Sequence, residues 1–427
     1  MTTLLKILFW GAVGLIVVAG GLYLMLLGVN RHDQPPSATA QEFRQTLDGR
    51  PAVPDPDNAY LIMLRVSAGH QGYRASRRPV VEALAHHCGN SAAECFDAVD
   101  AAPRATALWL TDEAWLLEQY KTLIVKPAFL QAVSIGDDAP TPDNKTVRDG
   151  QRLFLISALL TSTSGKQLRA ALDQDLAFWR MVLANSDLLI TKLIATAAIK
   201  QHFEMGNEVQ REWQARALGD TIPGLWRVAI DGKERSIQRP LIGEWRYMDL
   251  LIASIMTETA NPFAENDDQA PTWLDRAKWR IALAAWQPQD FSNHQAAAMK
   301  RQIGLFDVPY ASIPEALQAS AGSADDVPWQ VGGPYNLTGK VLGLTTYTDY
   351  GGYVVRFCDL EGIRRAALLT VSMRERKTAP DSIGAAVRNA ELTNPYTGEP
   401  FAWSASTGEV VFVGLEDEPK GEHRFRY

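Results

Sequence analysis

Lys192 stands among Leu188, Leu189, Ile190, Leu193 and Ile194, so it is either a buried charge or an amine on a stem that lies along apolar surface. A buried amine needs a carboxylate partner or a lowered pKa. The expected outcome is the other one, with the stem snorkelling and the amine in water. The seven histidines are His32, His70, His86, His87, His202, His294 and His423, scattered apart from one adjacent pair. His202 is two positions from Glu204, and alternate residues on a helix diverge, which argues against a relay between them. Asp173 with Asp175, and Glu244 with Asp249, read as solvated helix faces rather than an acid and a base. Gly-x-Ser-x-Gly, His-Glu-x-x-His and a Gly-rich loop ending in Gly-Lys-Ser/Thr are all missing from the sequence, and Ser164-Gly165-Lys166 has no upstream glycine. No catalytic motif is found, so a non-enzyme without a cofactor is favoured.

Cys88 and Cys95 lie in the run His86-His87-Cys88-Gly89-Asn90-Ser91-Ala92-Ala93-Glu94-Cys95. The Gly-Asn-Ser break lets the chain turn back, and a local disulfide is expected. Closing so short a loop contributes ~2–3 kcal/mol by the chain-entropy argument and requires an oxidising compartment. A metal site using His86 and His87 with the two cysteines is the alternative, and its spacing is poor because adjacent histidines diverge. Cys358 has no sequence partner and reads as a small buried hydrophobe.

These groups sit in a chain of 427 residues with a formal charge of -7, 46% hydrophobic and 21% charged. That balance fits a globular protein and argues against a nucleic-acid partner, which needs a basic excess. Residues 7–29 carry no charge at all. As a helix they span roughly 35 Å, enough to cross a bilayer. A cleaved signal is the rival reading, since Lys6 is basic and Ala38-Thr39-Ala40 has small-x-small form. The apolar run is longer than a signal core of about 7–15 residues, so an uncleaved anchor is expected. The expected location is the bacterial inner membrane, single-pass, with the body facing the periplasm.

The expected fold is mainly α: a single N-terminal transmembrane helix, a multi-helix body and a small α+β C-terminal segment with a β-hairpin. The expected division is 1–29 anchor, 30–57 polar tether, 58–318 helical domain, 319–334 linker or surface loop, and 335–427 α+β segment. Thr111-Asp112-Glu113 looks like a helix start, and Leu116, Leu117, Tyr120, Leu123 and Ile124 form one apolar face. After Thr161 to Gly165, Leu168, Leu172, Leu176, Trp179 and Leu183 recur at helical spacing. Asn185-Ser186-Asp187 interrupts, and Ile190, Leu193, Ile194 and Ala197 resume the pattern. Thr272-x-x-Asp275 resembles a capping box ahead of Leu274, Ala277, Ile281 and Ala285. Trp179 and Trp279 are expected to fill core. Asn261 to Pro271 reads as an acidic loop and Arg364 to Lys377 as a helix. Phe401-Ala402-Trp403 and Val410 to Val413 read as two short strands of a hairpin, and 416–427 as a charged tail.

Asp175-Leu176-Ala177-Phe178-Trp179-Arg180, with Leu189-Ile190-x-Lys192-x-Ile194-Ala195, resembles uncharacterised bacterial proteins with an N-terminal membrane helix and a helical body. Asn394-Pro395-Tyr396-Thr397-Gly398-Glu399-Pro400-Phe401-Ala402-Trp403 is similar to the turn that ends the sheet of pseudopilin-like modules. That resemblance implies a calcium-binding loop at Glu416, Asp417 and Glu418, while a solvated acidic turn is the plainer reading of the same residues. The pseudopilin processing site is missing from the N-terminus, so assembly into a pilus is not expected. Together these readings describe a membrane-anchored cell-envelope protein, a non-catalytic binding or scaffolding component. It holds the membrane through residues 7–29 and a protein partner in the envelope. The alternative is a periplasmic hydrolase with an active site not recognisable from sequence.

Overall fold

Helix caps written into the sequence cut the chain into its elements. The computed structural model describes residues 2–70, 78–134, 141–216, 222–257, 272–322, 333–346, 349–417 and 419–427. The first helices are α1 (Thr2–Val29), α2 (Ala38–Asp48), α3 (Ala59–His70), α4 (Pro79–Asn90), α5 (Ala92–Ala101), α6 (Pro103–Asp112) and α7 (Ala114–Ile124). Next come α8 (Asn144–Thr161), α9 (Gly165–Asn185), α10 (Leu189–Ala215), α11 (Gly232–Arg235), α12 (Gln238–Thr257) and α13 (Trp273–Ala284). The last are α14 (Pro288–Phe306), α15 (Ile313–Gly322), α16 (Leu337–Thr346), α17 (Gly351–Glu375) and α18 (Ile383–Arg388). Strands β1 (Ala402–Ser404), β2 (Glu409–Val413) and β3 (Glu422–Arg426) form one antiparallel sheet in that order. The fold is mainly α with a small C-terminal sheet.

The Ser164 hydroxyl accepts from the Gln167 amide and starts α9; the Asn185-Ser186-Asp187 break then separates α9 from α10. Thr272 and Asp275 cap α13 reciprocally, as their spacing predicts. The start expected at Thr111 is instead the end of α6, because the Thr111 hydroxyl donates back to the Ala107 carbonyl at 2.8 Å. The apolar face that follows is buried on α7 as expected. Within the stretch read as a polar tether, α2 forms because Ser37 caps it and Phe43 has an apolar place to go. The expected tail carries β3, where His423 and Phe425 alternate inward between Glu422, Arg424 and Arg426. The hairpin is therefore a three-stranded meander. The acidic loop at 261–271 and residues 323–332 of the expected linker lie outside the described residues.

Two compact units interleave along the chain. The first comprises Met1–Arg50, Ile242–Gly304 and Ser320–Asp349. Its core gathers Ile252 and Phe291, with Met248, Trp286 and Leu342 against them. Phe43 meets Trp245 edge-on at 5.6 Å, and the Arg44 guanidinium lies over the same indole. By length and composition α1 is the one described helix able to cross a membrane, and no residue of its apolar window is fully buried. Its C-terminal end is held firmly. Asn30 donates to the Pro334 carbonyl (3.1 Å), and its own side-chain oxygen accepts from the Asn336 amide (2.7 Å). The Asp33 carboxylate accepts from the Gln289 and Asp290 amides in the first turn of α14.

The second unit comprises Pro51–Leu241, Leu305–Ala319 and Tyr350–Tyr427. Helix α10 is its axis, packed on α8, α9 and α17, and α17 in turn carries β2 and β3. Two glycines set the closeness of this packing. A Cβ on Gly206 would stand 2.7 Å from the Trp226 ring, and one on Gly362 would overlap the Phe412 ring.

Candidate functional site

The side chains best suited to chemistry meet inside the second unit, between α9 and α10. Asp175 is fully buried at the centre. One carboxylate oxygen accepts from the Tyr120 hydroxyl, and the other accepts from Gln151 Nε2 (2.9 Å) and faces His202 Nδ1 (2.7 Å). Trp226 Nε1 lies 2.8 Å from His202 Nε2. An indole N–H only donates, so Nε2 accepts, and the ring proton sits on Nδ1, donating to Asp175. Trp179 Nε1 donates to the Tyr120 oxygen at 2.8 Å. Burial, and then the Asp175 charge, raise the Tyr120 pKa well above its ordinary value.

This arrangement has the carboxylate and histidine of a catalytic relay, but the nitrogen that would take a substrate proton already accepts from an indole. His202 is 0% exposed, so the network fixes the α8–α9–α10 packing. The sequence pattern placed Asp175 on a solvated face with Asp173. The structure instead buries Asp175 and uses Asp173 to accept the Gly224 and Leu225 amides at 3.0 and 2.8 Å. Neither partners the other, and His202 pairs with a residue of α9 rather than with Glu204.

Lys192 is a buried charge, 1% exposed, and its amine does not snorkel to water. It donates to the Leu183 carbonyl (2.8 Å) and the Glu234 carbonyl (2.5 Å), and it lies over the Phe357 ring. Burial lowers its pKa to about 7, with the nearby Glu234 charge opposing. The Glu234 carboxylate is engaged by Arg180, whose guanidinium also reaches the Val228 and Ala229 carbonyls. Lys192 thus ties the end of α9 to α11. Cys358 is buried nearby, its thiol pushed up to about 12 by desolvation.

Cys88 and Cys95 are joined in a disulfide that closes the α4–α5 turn, where Ser91 caps α5 through the Glu94 amide. His86 and His87 are exposed neighbours whose rings stand 6.3 Å apart, and neither belongs to a metal cluster. Glu416 pairs with Arg356 at 2.9 Å, and Glu418 lies outside the described residues. Among the described residues no group of three or more His, Cys, Asp or Glu side chains is placed to hold a metal ion.

The sequence reading missed a cavity of about 650 Å³ between α4, α6 and the start of α8. His86, Trp109, Lys145, Arg148 and Arg152 line it. Arg152 is matched by Asp149 at 2.7 Å, whereas Arg148 donates through Nε and Nη2 to the Gln201 amide oxygen instead of to a carboxylate. Burial, and then the Arg152 charge, lower the Arg148 pKa. The cleft can hold an anion, because Lys145, Arg148 and Arg152 outnumber the lining carboxylates Glu82 and Asp149 and Arg148 gains by being neutralised. The sequence signal was the row Lys145, Arg148 and Arg152 on one helical face, which by pattern alone is indistinguishable from a solvated surface.

Comparison with models of known protein families, with curated proteins and with solved structures gives no match for this chain.

Proposed function

We propose that this protein is a membrane-anchored, non-catalytic binding component of the bacterial cell envelope. In this reading α1 stays uncleaved in the inner membrane, and the body faces the periplasm and recognises an acidic segment of a partner protein. The supporting observation is the pairing, on one chain, of a long apolar helix with no fully buried residue in its window and a cleft with a net excess of cations beside a disulfide. The helix supplies the anchor, and the cleft supplies charge for a carboxylate. The disulfide favours an oxidising side of the membrane.

The test is affinity capture of the full chain from membranes after cross-linking, comparing the native sequence with Arg148→Glu. The expected result is a partner recovered reproducibly with the native chain and reduced about tenfold or more by the charge reversal, the scale of a lost charge-assisted pair. Recovery of no partner, or recovery indifferent to Arg148→Glu, overturns the reading. A reporter joined after Tyr427 and active only in the cytoplasm overturns the orientation.

A further inference from the structure

In the first unit, the apolar stripe predicted on α13 is exposed at Leu274 and Ile281, half-buried at Ala277 and buried only at Ala285, just past the end of the helix. Trp273 is 75% exposed, Leu274 48% and Ile281 49%, and α13 has no buried residue at all. Trp279, expected in a core, is half-buried. On a helical wheel Trp273, Leu274, Ala277 and Ile281 occupy one arc, with Arg276 and Arg280 along one margin and Lys278 along the other. These three cations are exposed. Helix α16 repeats the feature: Leu337, Val341 and Leu344, spaced four and three apart, are all exposed on one face. The two helices are fastened together, since the Thr338 hydroxyl donates to the Ala282 carbonyl at 2.7 Å and the Thr338 amide to the Ala285 carbonyl at 3.1 Å.

What covers these faces is indicated by their place beside α1. Helix α13 packs alongside α1. Gln287, just past the C-terminal end of α13, donates to the Asn30 carbonyl at 2.5 Å, and Asn336, just before α16, donates to the Asn30 side chain. Both helices therefore meet the last turn of α1, and α13 lies against its flank. On α1 itself Tyr23, Leu26 and Asn30 are the half-buried residues of the C-terminal turns, at spacings of three and four. This places Tyr23 on a covered face of the helix, away from a simple interfacial belt.

We propose that α13 and α16 form a lipid-facing platform that enters the headgroup region of the same bilayer α1 crosses. Trp273, Leu274, Ile281, Val341 and Leu344 sit at the acyl boundary, and Arg276, Lys278 and Arg280 reach up to anionic phosphates. The proposal rests on reading α1 as a membrane anchor. An apolar arc with Trp and Leu, bounded by basic residues whose stems snorkel, is the chemistry of a helix lying in a membrane interface, buried by about 5–10 Å.

The test uses the full chain in vesicles of phosphatidylcholine and phosphatidylglycerol. An environment-sensitive fluorophore is placed at Leu274→Cys, Ile281→Cys or Val341→Cys, and quenching by spin-labelled lipid is read. Leu24→Cys in α1 and Val125→Cys, an exposed side chain of the second unit, are the references. The expected result is quenching at all three platform positions about twofold or more above that at Val125, as for groups within an interface. Quenching at Leu24 with platform probes equal to Val125 overturns the platform and leaves the anchor standing. No quenching at Leu24 overturns the anchor itself. Probes that are dry yet unquenched by lipid show a second copy covering the face, and that also overturns the proposal.

Discussion

The α9–α10 core of one unit and the α13–α16 face of the other invert the usual helix pattern in opposite directions. In the core, Asp175, His202 and Lys192 lie inside, Asp175 and His202 hydrogen-bonded to each other and Lys192 to two backbone carbonyls. On the α13–α16 face, Trp273 and Ile281 lie outside. Trp179 and Trp226 spend their N–H groups on internal partners, whereas Trp273 stands in the open. A buried polar group is tolerable when its partners are fixed, so the core pattern specifies a geometry. An exposed apolar arc has no such internal justification, and under the platform proposal its pattern specifies a second medium.

Asp175→Ala attacks the comparison at its strongest point. It leaves the Tyr120 hydroxyl, one Gln151 N–H and the His202 Nδ1–H without their acceptor, and ~3–5 kcal/mol of stability is expected to go. Chemical denaturation measures this, and a loss below about 1 kcal/mol would show that the network is dispensable. Gly362→Ala pushes a methyl into the Phe412 ring and is expected to cost ~1–3 kcal/mol by overpacking α17 against β2. The same substitution at Gly352, which has open space around it, is the control.

Lys192 sharpens the contrast through pH. Its folded pKa, about 7, lies below the unfolded value of 10.5, so between these the unfolded chain binds the extra proton. Stability contributed by this group therefore rises with pH across that window, and it is least favourable below pH 7. The unfolding free energy of the native chain minus that of Lys192→Met is expected to grow from neutral to alkaline pH. A flat difference would remove the buried amine. The smallest effect belongs to the exposed face: Leu274→Gln in detergent is expected to change stability by less than about 0.5 kcal/mol. A larger loss, seen by thermal unfolding, would mean that α13 packs on protein.

The helical architecture was largely legible, because Ser164, the Asn185-Ser186-Asp187 break and the Thr272–Asp275 pair encode helix ends locally. The disulfide was legible for the same reason. Strand β3 was not, since Glu422, Arg424 and Arg426 hide a period-two pattern that only His423 and Phe425 carry. Asp175 was unreadable because a charge at helical spacing looks solvated until its partners on α7, α8 and α10 are known. The interleaving of the units was equally hidden. Contacts such as Phe43 with Trp245 or Asp33 with Gln289 join residues too far apart in the chain for any local pattern to register.

The clamp on Asn30 changes what kind of connection α1 makes to its own unit. A disordered linker would let that unit tumble beneath the membrane like a float on a line. Here Asn30 and Asp33 are bonded directly to the starts of α14 and α16, so α1 acts as a mast stepped into a hull. Under the proposed reading of α1 as an anchor, any tilt that lipid imposes on it is passed to the first unit as a rotation, and bilayer thickness becomes a quantity this unit senses.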